Sequence, residues 1–122
     1  MVREFDVPTT VVGCPIVREP DGLALSSRNA YLSAAERQAA TVLHRALARV
    51  QELVATGERD VPAMETALHE VVNTEPLAQL DYAAVVDQST LVQPKLLDGR
   101  ARAIIAASIG TTRLIDNVAL EA

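Results

Sequence analysis

Aromatic residues are almost missing from this sequence: Phe5, Tyr31 and Tyr82 make up 2% of its 122 residues, and there is no tryptophan. The stacking platforms on which single-stranded nucleic acids are held are therefore lacking. Basic residues are scarce as well, with 11 Lys+Arg against 16 Asp+Glu and a formal charge of −5. A protein that neutralises a phosphate backbone carries a basic face, so no nucleic-acid partner is expected. Cysteine is reduced to Cys14, which excludes a disulfide framework and a cysteine-rich zinc site. No apolar run reaches the roughly 20 residues of a membrane helix. The opening MVREFDVPTT has no apolar h-region of a secretory signal. These absences point to an acidic cytoplasmic domain with no membrane partner and no resident metal.

What is present is the composition of a folded domain, 49% hydrophobic and 22% charged. At this length one domain is expected, and folding buries roughly two-thirds of the surface of the unfolded chain, enough for a core without staples. With so few aromatics, that core must be built from small aliphatic side chains.

The pattern along the chain predicts an α+β fold. Val7 to Val17 is short, β-branched and apolar, and reads as a buried strand. It runs into Arg18-Glu19-Pro20-Asp21-Gly22, a turn signal. Ser33-Ala34-Ala35-Glu36 fits a capping box. Behind it Ala39, Leu43, Ala46, Leu47, Val50 and Val54 recur at helical spacing up to Gly57, which suits a helix terminus. A second helix is predicted from Asp60, with Pro62 in its first turn and Met64, Leu68, Val71 and Val72 on its apolar stripe. Three strand-like runs follow, Leu80 to Asp87, Ala101 to Ile109 and Arg113 to Leu120, the last two separated by Gly110-Thr111-Thr112. Two helices and three clustered strands imply a two-helix unit on a small antiparallel sheet. The strand at Val7 to Val17 has no partner of its own kind nearby. It reads as an orphan from another sheet, and such an edge is expected to pair with a second copy in isolation.

The most polar stretch without a structural explanation is Ser26-Ser27-Arg28-Asn29, placed after the Gly22 turn and before the capped helix. Hydroxyls and backbone N–H groups can donate to phosphate, and a guanidinium forks onto two of its oxygens. A solvated loop whose serines satisfy local backbone groups is the other reading. His44 and His69 fall within predicted helices and read as helix-surface or partly buried histidines. Cys14 reads as a small packed hydrophobe. Asp116-Asn117 reads as a local hydrogen-bonding device at a strand end, and Lys95 as a solvated loop residue.

The run from Pro15 to Leu32, PIVREPDGLALSSRNAYL, resembles the pantothenate synthetase (pantoate–β-alanine ligase) family, and the later GTTRLIDN at Gly110 to Asn117 is similar to that family's closing strand. The resemblance implies an ATP- and Mg²⁺-dependent condensation of pantoate with β-alanine, through an enzyme-bound pantoyl adenylate, with AMP and pyrophosphate released. It also implies an N-terminal Rossmann-type domain as partner, a homodimer formed mainly through that domain, and a smaller C-terminal domain that closes over the site. Residues 1–17 would then be the last strand and linker of the Rossmann-type domain, and 18–122 the lid. The Leu25-Ser26-Ser27-Arg28-Asn29 stretch matches the family's counterpart of the KMSKS loop of class I aminoacyl-tRNA synthetases. On that match Ser26, Ser27 and Arg28 would contact the ATP phosphates, with Ser26 and Arg28 acting on the transition state. Leu25 would stand near the adenine where the family commonly has Met, a volume-conserving exchange, and the Val17 backbone would lie along the base. The family's two-histidine motif, its catalytic lysine and its pantoate and β-alanine ligands belong to the N-terminal domain, so this chain alone is expected to be inactive. The alternative is a nucleotide-binding or interaction module of the same ancestry without ligase activity.

Overall fold

The computed structural model describes residues 16–121. Most of the predicted orphan strand, and Cys14 with it, lies outside the described residues; the fold begins with a short hairpin in which Arg18 is bridged to Ala24. A 3₁₀ turn, Ser27–Tyr31, leads to helix α1 (Ala34–Ala39), then α2 (Val42–Ala55) and α3 (Val61–Asn73). Strands β1 (Ala78–Asp87), β2 (Arg100–Ile109) and β3 (Thr112–Glu121) complete the chain. They form one antiparallel sheet in the order β1-β2-β3. The α+β class and the helix pair on a three-stranded sheet are as the sequence pattern implies.

The helix ends follow their local chemistry. The Ser33 hydroxyl accepts from the Glu36 N–H at 3.1 Å, and the Glu36 carboxylate accepts from the Ser33 N–H at 2.9 Å, a complete capping box. Asp60 accepts from the Ala63 N–H at the start of α3. At the end of α2, Gly57 takes φ +107, and the Glu58 N–H reaches back to the Leu53 carbonyl.

One continuous helix from Ser33 to Gly57 is corrected to two. The Thr41 hydroxyl and N–H both donate to the Gln38 carbonyl, at 2.7 and 3.2 Å, and the Leu43 N–H donates to the Ala40 carbonyl at 3.3 Å, so the regular ladder gives way to 3₁₀-type bonds on either side of Ala40–Thr41. Both residues stay right-handed helical. The apolar stripe therefore runs through the break.

The core lies between the α2–α3 pair and one face of the sheet. Leu43, Leu47 and Val50 from α2 and Val61, Met64, Leu68 and Val72 from α3 meet Ala101, Ala103, Ile105, Ala107 and Ile109 of β2, all essentially inaccessible. Three alanines on the central strand, Ala101, Ala103 and Ala107, leave room for the larger aliphatic side chains of the helices in a core with almost no aromatics. β1 carries a bulge between Leu80 and Tyr82 that its run of strand formers did not announce. The opposite face of the sheet carries Tyr82 and Ile115, each in register with Ala106, and both are exposed.

Candidate functional site

The 17–25 hairpin builds the site. Its backbone bonds run from the Leu25 N–H to the Val17 carbonyl and from the Glu19 N–H to the Leu23 carbonyl, both at 2.8 Å. Val17 therefore stands directly opposite Leu25, and both side chains are exposed, at 66% and 58%. The turn needs Gly22, whose φ is +95 and where any Cβ would collide with the ring of His44 on α2. Asp21 forks onto the Arg37 guanidinium of α1 at 2.8 and 3.1 Å. The hydrogen bonds from Arg37 hold the Asp21 carboxyl below its usual range, and the guanidinium is correspondingly harder to deprotonate.

Immediately after the hairpin, the Ser26 hydroxyl accepts from the Arg28 N–H at 3.2 Å and so caps the 3₁₀ turn. The Asn29 amide donates to the Ala24 carbonyl at 3.1 Å, which ties the turn back onto the hairpin. Arg28 reaches across to β3, where one guanidinium nitrogen donates to the Arg113 carbonyl at 3.1 Å. Leu25, Ser26 and Arg28 line a cavity of about 420 Å³ whose far wall is Leu114 to Asn117 of β3. Val17 flanks Leu25 through the hairpin pairing, and Ser27 opens the 3₁₀ turn with its side chain exposed. Of the five residues singled out in the sequence, Leu25, Ser26 and Arg28 line this cavity, and Val17 and Ser27 adjoin them without lining it. The segment offers an exposed apolar pair and, beyond it, two hydroxyls and a guanidinium that can donate to an anion.

One other expectation changes. Asp116 and Asn117 are in the middle of β3, not at a strand end, and Asp116 is buried. Asp116 does accept from the neighbouring Asn117 N–H at 2.7 Å, but its main partner is Arg18, 98 residues away, which forks onto it at 2.7 and 2.9 Å. An acid between Leu114-Ile115 and Val118 was the one signal of such a partner, because a buried carboxylate must be paired. His44 is half-buried on α2 with its Nδ1 unpartnered among the described residues, and His69 is exposed on α3. Neither lies on the cavity wall. The described residues include no group of three or more His, Cys, Asp or Glu able to hold a metal ion.

Comparison with known proteins decides the family. A sequence profile described as Pantoate-beta-alanine ligase matches residues 1–119. This chain belongs to the pantoate-beta-alanine ligase family. The pantothenate synthetase of Roseiflexus sp. (strain RS-1) is 53% identical over 122 residues, covering 100% of this chain and 44% of that protein. That of Rubrobacter xylanophilus is 54% identical over 121 residues, covering 98% of this chain and 42% of the relative. The crystal structure of pantothenate synthetase from Thermus thermophilus superposes with a TM-score of 0.88 at 43% identity, over 96% of this chain and 42% of the other. A pantoate-beta-alanine ligase from Francisella tularensis, complexed with beta-gamma ATP and beta-alanine, matches with a TM-score of 0.56 at 26% identity, over 96% of this chain and 36% of that one. The chain thus spans less than half the length of the ligases it matches.

Proposed function

We propose that this chain is the C-terminal lid of an ATP-dependent pantoate–β-alanine ligase, with residues 1–17 joining it to a Rossmann-type domain and 18–122 forming the lid. The observation that supports this reading is that Leu25, Ser26 and Arg28 share one cavity edge, with Val17 paired across the hairpin from Leu25 and Ser27 exposed next to Ser26 in the chain. The Francisella tularensis relative is complexed with beta-gamma ATP, which supports a nucleotide ligand in this family. Val17 and Leu25 lie against the adenine, and Ser26, Ser27 and Arg28 face the phosphates.

In the reaction, a carboxylate oxygen of pantoate attacks the α-phosphorus. The bond to the bridging oxygen breaks, and its electron pair leaves on pyrophosphate. The β-alanine amine then attacks the pantoyl carbonyl carbon, the bond to AMP breaks with its electrons on AMP, and the amine proton is lost. Negative charge builds on pyrophosphate in the first step. Arg28 and the two hydroxyls, brought up by closure, stabilise that charge where water is excluded. Arg28 suits this role because its contact with Arg113 uses one guanidinium nitrogen and leaves other N–H donors of the fork for phosphate oxygens. Mg²⁺ enters as part of the ATP substrate, and no step is assigned to an ion held by these residues. Pantoate and β-alanine are selected by the partner domain, through which the enzyme forms a homodimer. No helix among the described residues is long and apolar enough to cross a membrane, which is compatible with a cytoplasmic ligase fed by ATP.

The test is Arg28→Ala in the complete ligase, read by pantoate-dependent exchange of pyrophosphate into ATP. A fall of roughly 10²–10³ in the adenylation rate is expected. Unchanged exchange kinetics would remove the assigned role.

A further inference from the structure

The phosphate-facing segment is held to the sheet at two points on β3. One is the exposed contact of Arg28 with the Arg113 carbonyl. The other is the buried fork of Arg18 on Asp116, whose side chains are 21% and 3% exposed. Arg18 does more than pair. It donates to the Gly22 carbonyl at 2.9 Å, closing the hairpin turn, and to the Asn117 carbonyl at 3.4 Å. Asn117 in turn accepts from Arg102 of β2 through its side-chain oxygen at 2.6 Å. A chain of charge-assisted bonds therefore runs from the hairpin turn through β3 to the central strand.

Burying such a pair seldom adds net stability over apolar residues of similar volume, whereas its geometry fixes which segment sits against which. The register of the hairpin shows what is fixed here. Arg18 pairs across with Ala24, between the exposed Val17–Leu25 pair and the turn. Side chains alternate along an extended arm, so clamping Arg18 toward β3 puts Val17 and Leu25 on the hairpin face opposite Arg18 and sets the starting point of Ser26 to Arg28.

We propose that Arg18 and Asp116 are positioning residues for adenylation: they make the hairpin, the Ser26–Arg28 segment and the sheet one rigid body, so that closure delivers the base-facing and phosphate-facing groups together. This rests on the ligase reading above. A misplacement of about 1 Å is enough to cost roughly 10²-fold in a rate that depends on alignment. Only the first half-reaction uses the phosphates, so the two half-reactions separate a positioning role from general destabilisation.

The experiment uses the complete ligase with Asp116→Asn, which keeps the side-chain shape and removes the anion, and Arg18→Lys, which keeps the charge and removes the fork. Folding is followed by thermal melting. Adenylation is read by pantoate-dependent ATP–pyrophosphate exchange, and pantoyl transfer by single-turnover reaction of supplied pantoyl adenylate with β-alanine. The expected result for Asp116→Asn is exchange reduced roughly 10- to 100-fold with a raised KM for ATP, and transfer within about twofold of the parent. Arg18→Lys should retain more exchange than Asp116→Asn. A folded variant with both rates unchanged, or with both reduced by the same factor, overturns the proposal. If Asp116→Asn does not fold, Arg18→Lys is judged by the same two rates and the same criterion. A parent enzyme without pantoate-dependent exchange would instead overturn the ligase reading, and this proposal with it.

Discussion

Gly22 lies directly against the imidazole of His44, so the turn that precedes the Ser26–Arg28 segment is seated on helix α2 with no room for a side chain. This contact joins the hairpin to the core through Leu23 and Leu43, which are both buried beside it. The orientation of the hairpin is therefore set by a backbone approach on one side and by the Arg18–Asp116 fork on the other.

Gly22→Ala should be destabilising for two separable reasons. The φ of +95 is unfavourable for any residue with a Cβ, at about 1–3 kcal/mol, and the added methyl strikes the ring. The double change Gly22→Ala with His44→Ala removes the collision and leaves the backbone strain, so it should be more stable than the sum of the two single changes implies. Urea denaturation of the four proteins measures this, and strict additivity would show that the contact carries no energy.

The Asp21–Arg37 pair predicts a pH dependence with a definite sign. Asp21 is held below its unfolded value by Arg37, so its contribution to stability is fully present above the unfolded pKa, near 3.8. It is lost as the pH falls through the lower folded value. The stability difference between the parent and Asp21→Asn should therefore be present at neutral pH and shrink progressively as the pH falls below the unfolded value of 3.8. Both groups face solvent, so the difference should also shrink in high salt. Denaturation midpoints followed from neutral pH into acid check it; a difference that does not shrink in acid would mean that Asp21 acts through something other than its charge.

The core predicts a larger effect. Ile105 is fully buried at the centre of β2, between small neighbours that cannot expand to fill a gap. Ile105→Ala should cost about 2–5 kcal/mol. A loss below about 1 kcal/mol in the same denaturation measurement would mean that the helices collapse onto the sheet when volume is removed.

How far the residues announced this structure depends on the range of the interaction concerned. The Ser33–Glu36 box, the Gly57 terminus and the α2 and α3 stripes were legible because each depends on neighbours within one or two turns. The three strands were legible from short apolar runs separated by turns. The break at Thr41 was hidden because the stripe continues across it, and the bulge at Leu80–Tyr82 because strand formers occupy both sides. Ser26 to Arg28 stood out as polar residues without local work, but their assignment to ATP came from family resemblance. The partner of Asp116 was not readable at all: Arg18 lies 98 positions away in a turn whose own signals concern Pro20, Asp21 and Gly22.

The proposed nucleotide surface makes the final prediction. In an amide NMR titration of this chain with Mg²⁺-ATP, saturable shifts should be confined to Val17 and Leu25 to Asn29, with a smaller response at Arg113. The Arg113 response follows from geometry, because its carbonyl accepts from the Arg28 guanidinium and a phosphate would compete for that group. Arg28→Ala should abolish the phosphate-dependent part. It should leave any shift that adenosine alone produces at Val17 and Leu25, since those two residues are held by the hairpin pairing and not by the guanidinium. A dispersed spectrum that does not move with Mg²⁺-ATP would show that the lid surface binds nucleotide only when the partner domain supplies the opposite wall. Shifts scattered over α3 or the outer face of the sheet would instead favour a binding module whose site lies elsewhere in the fold.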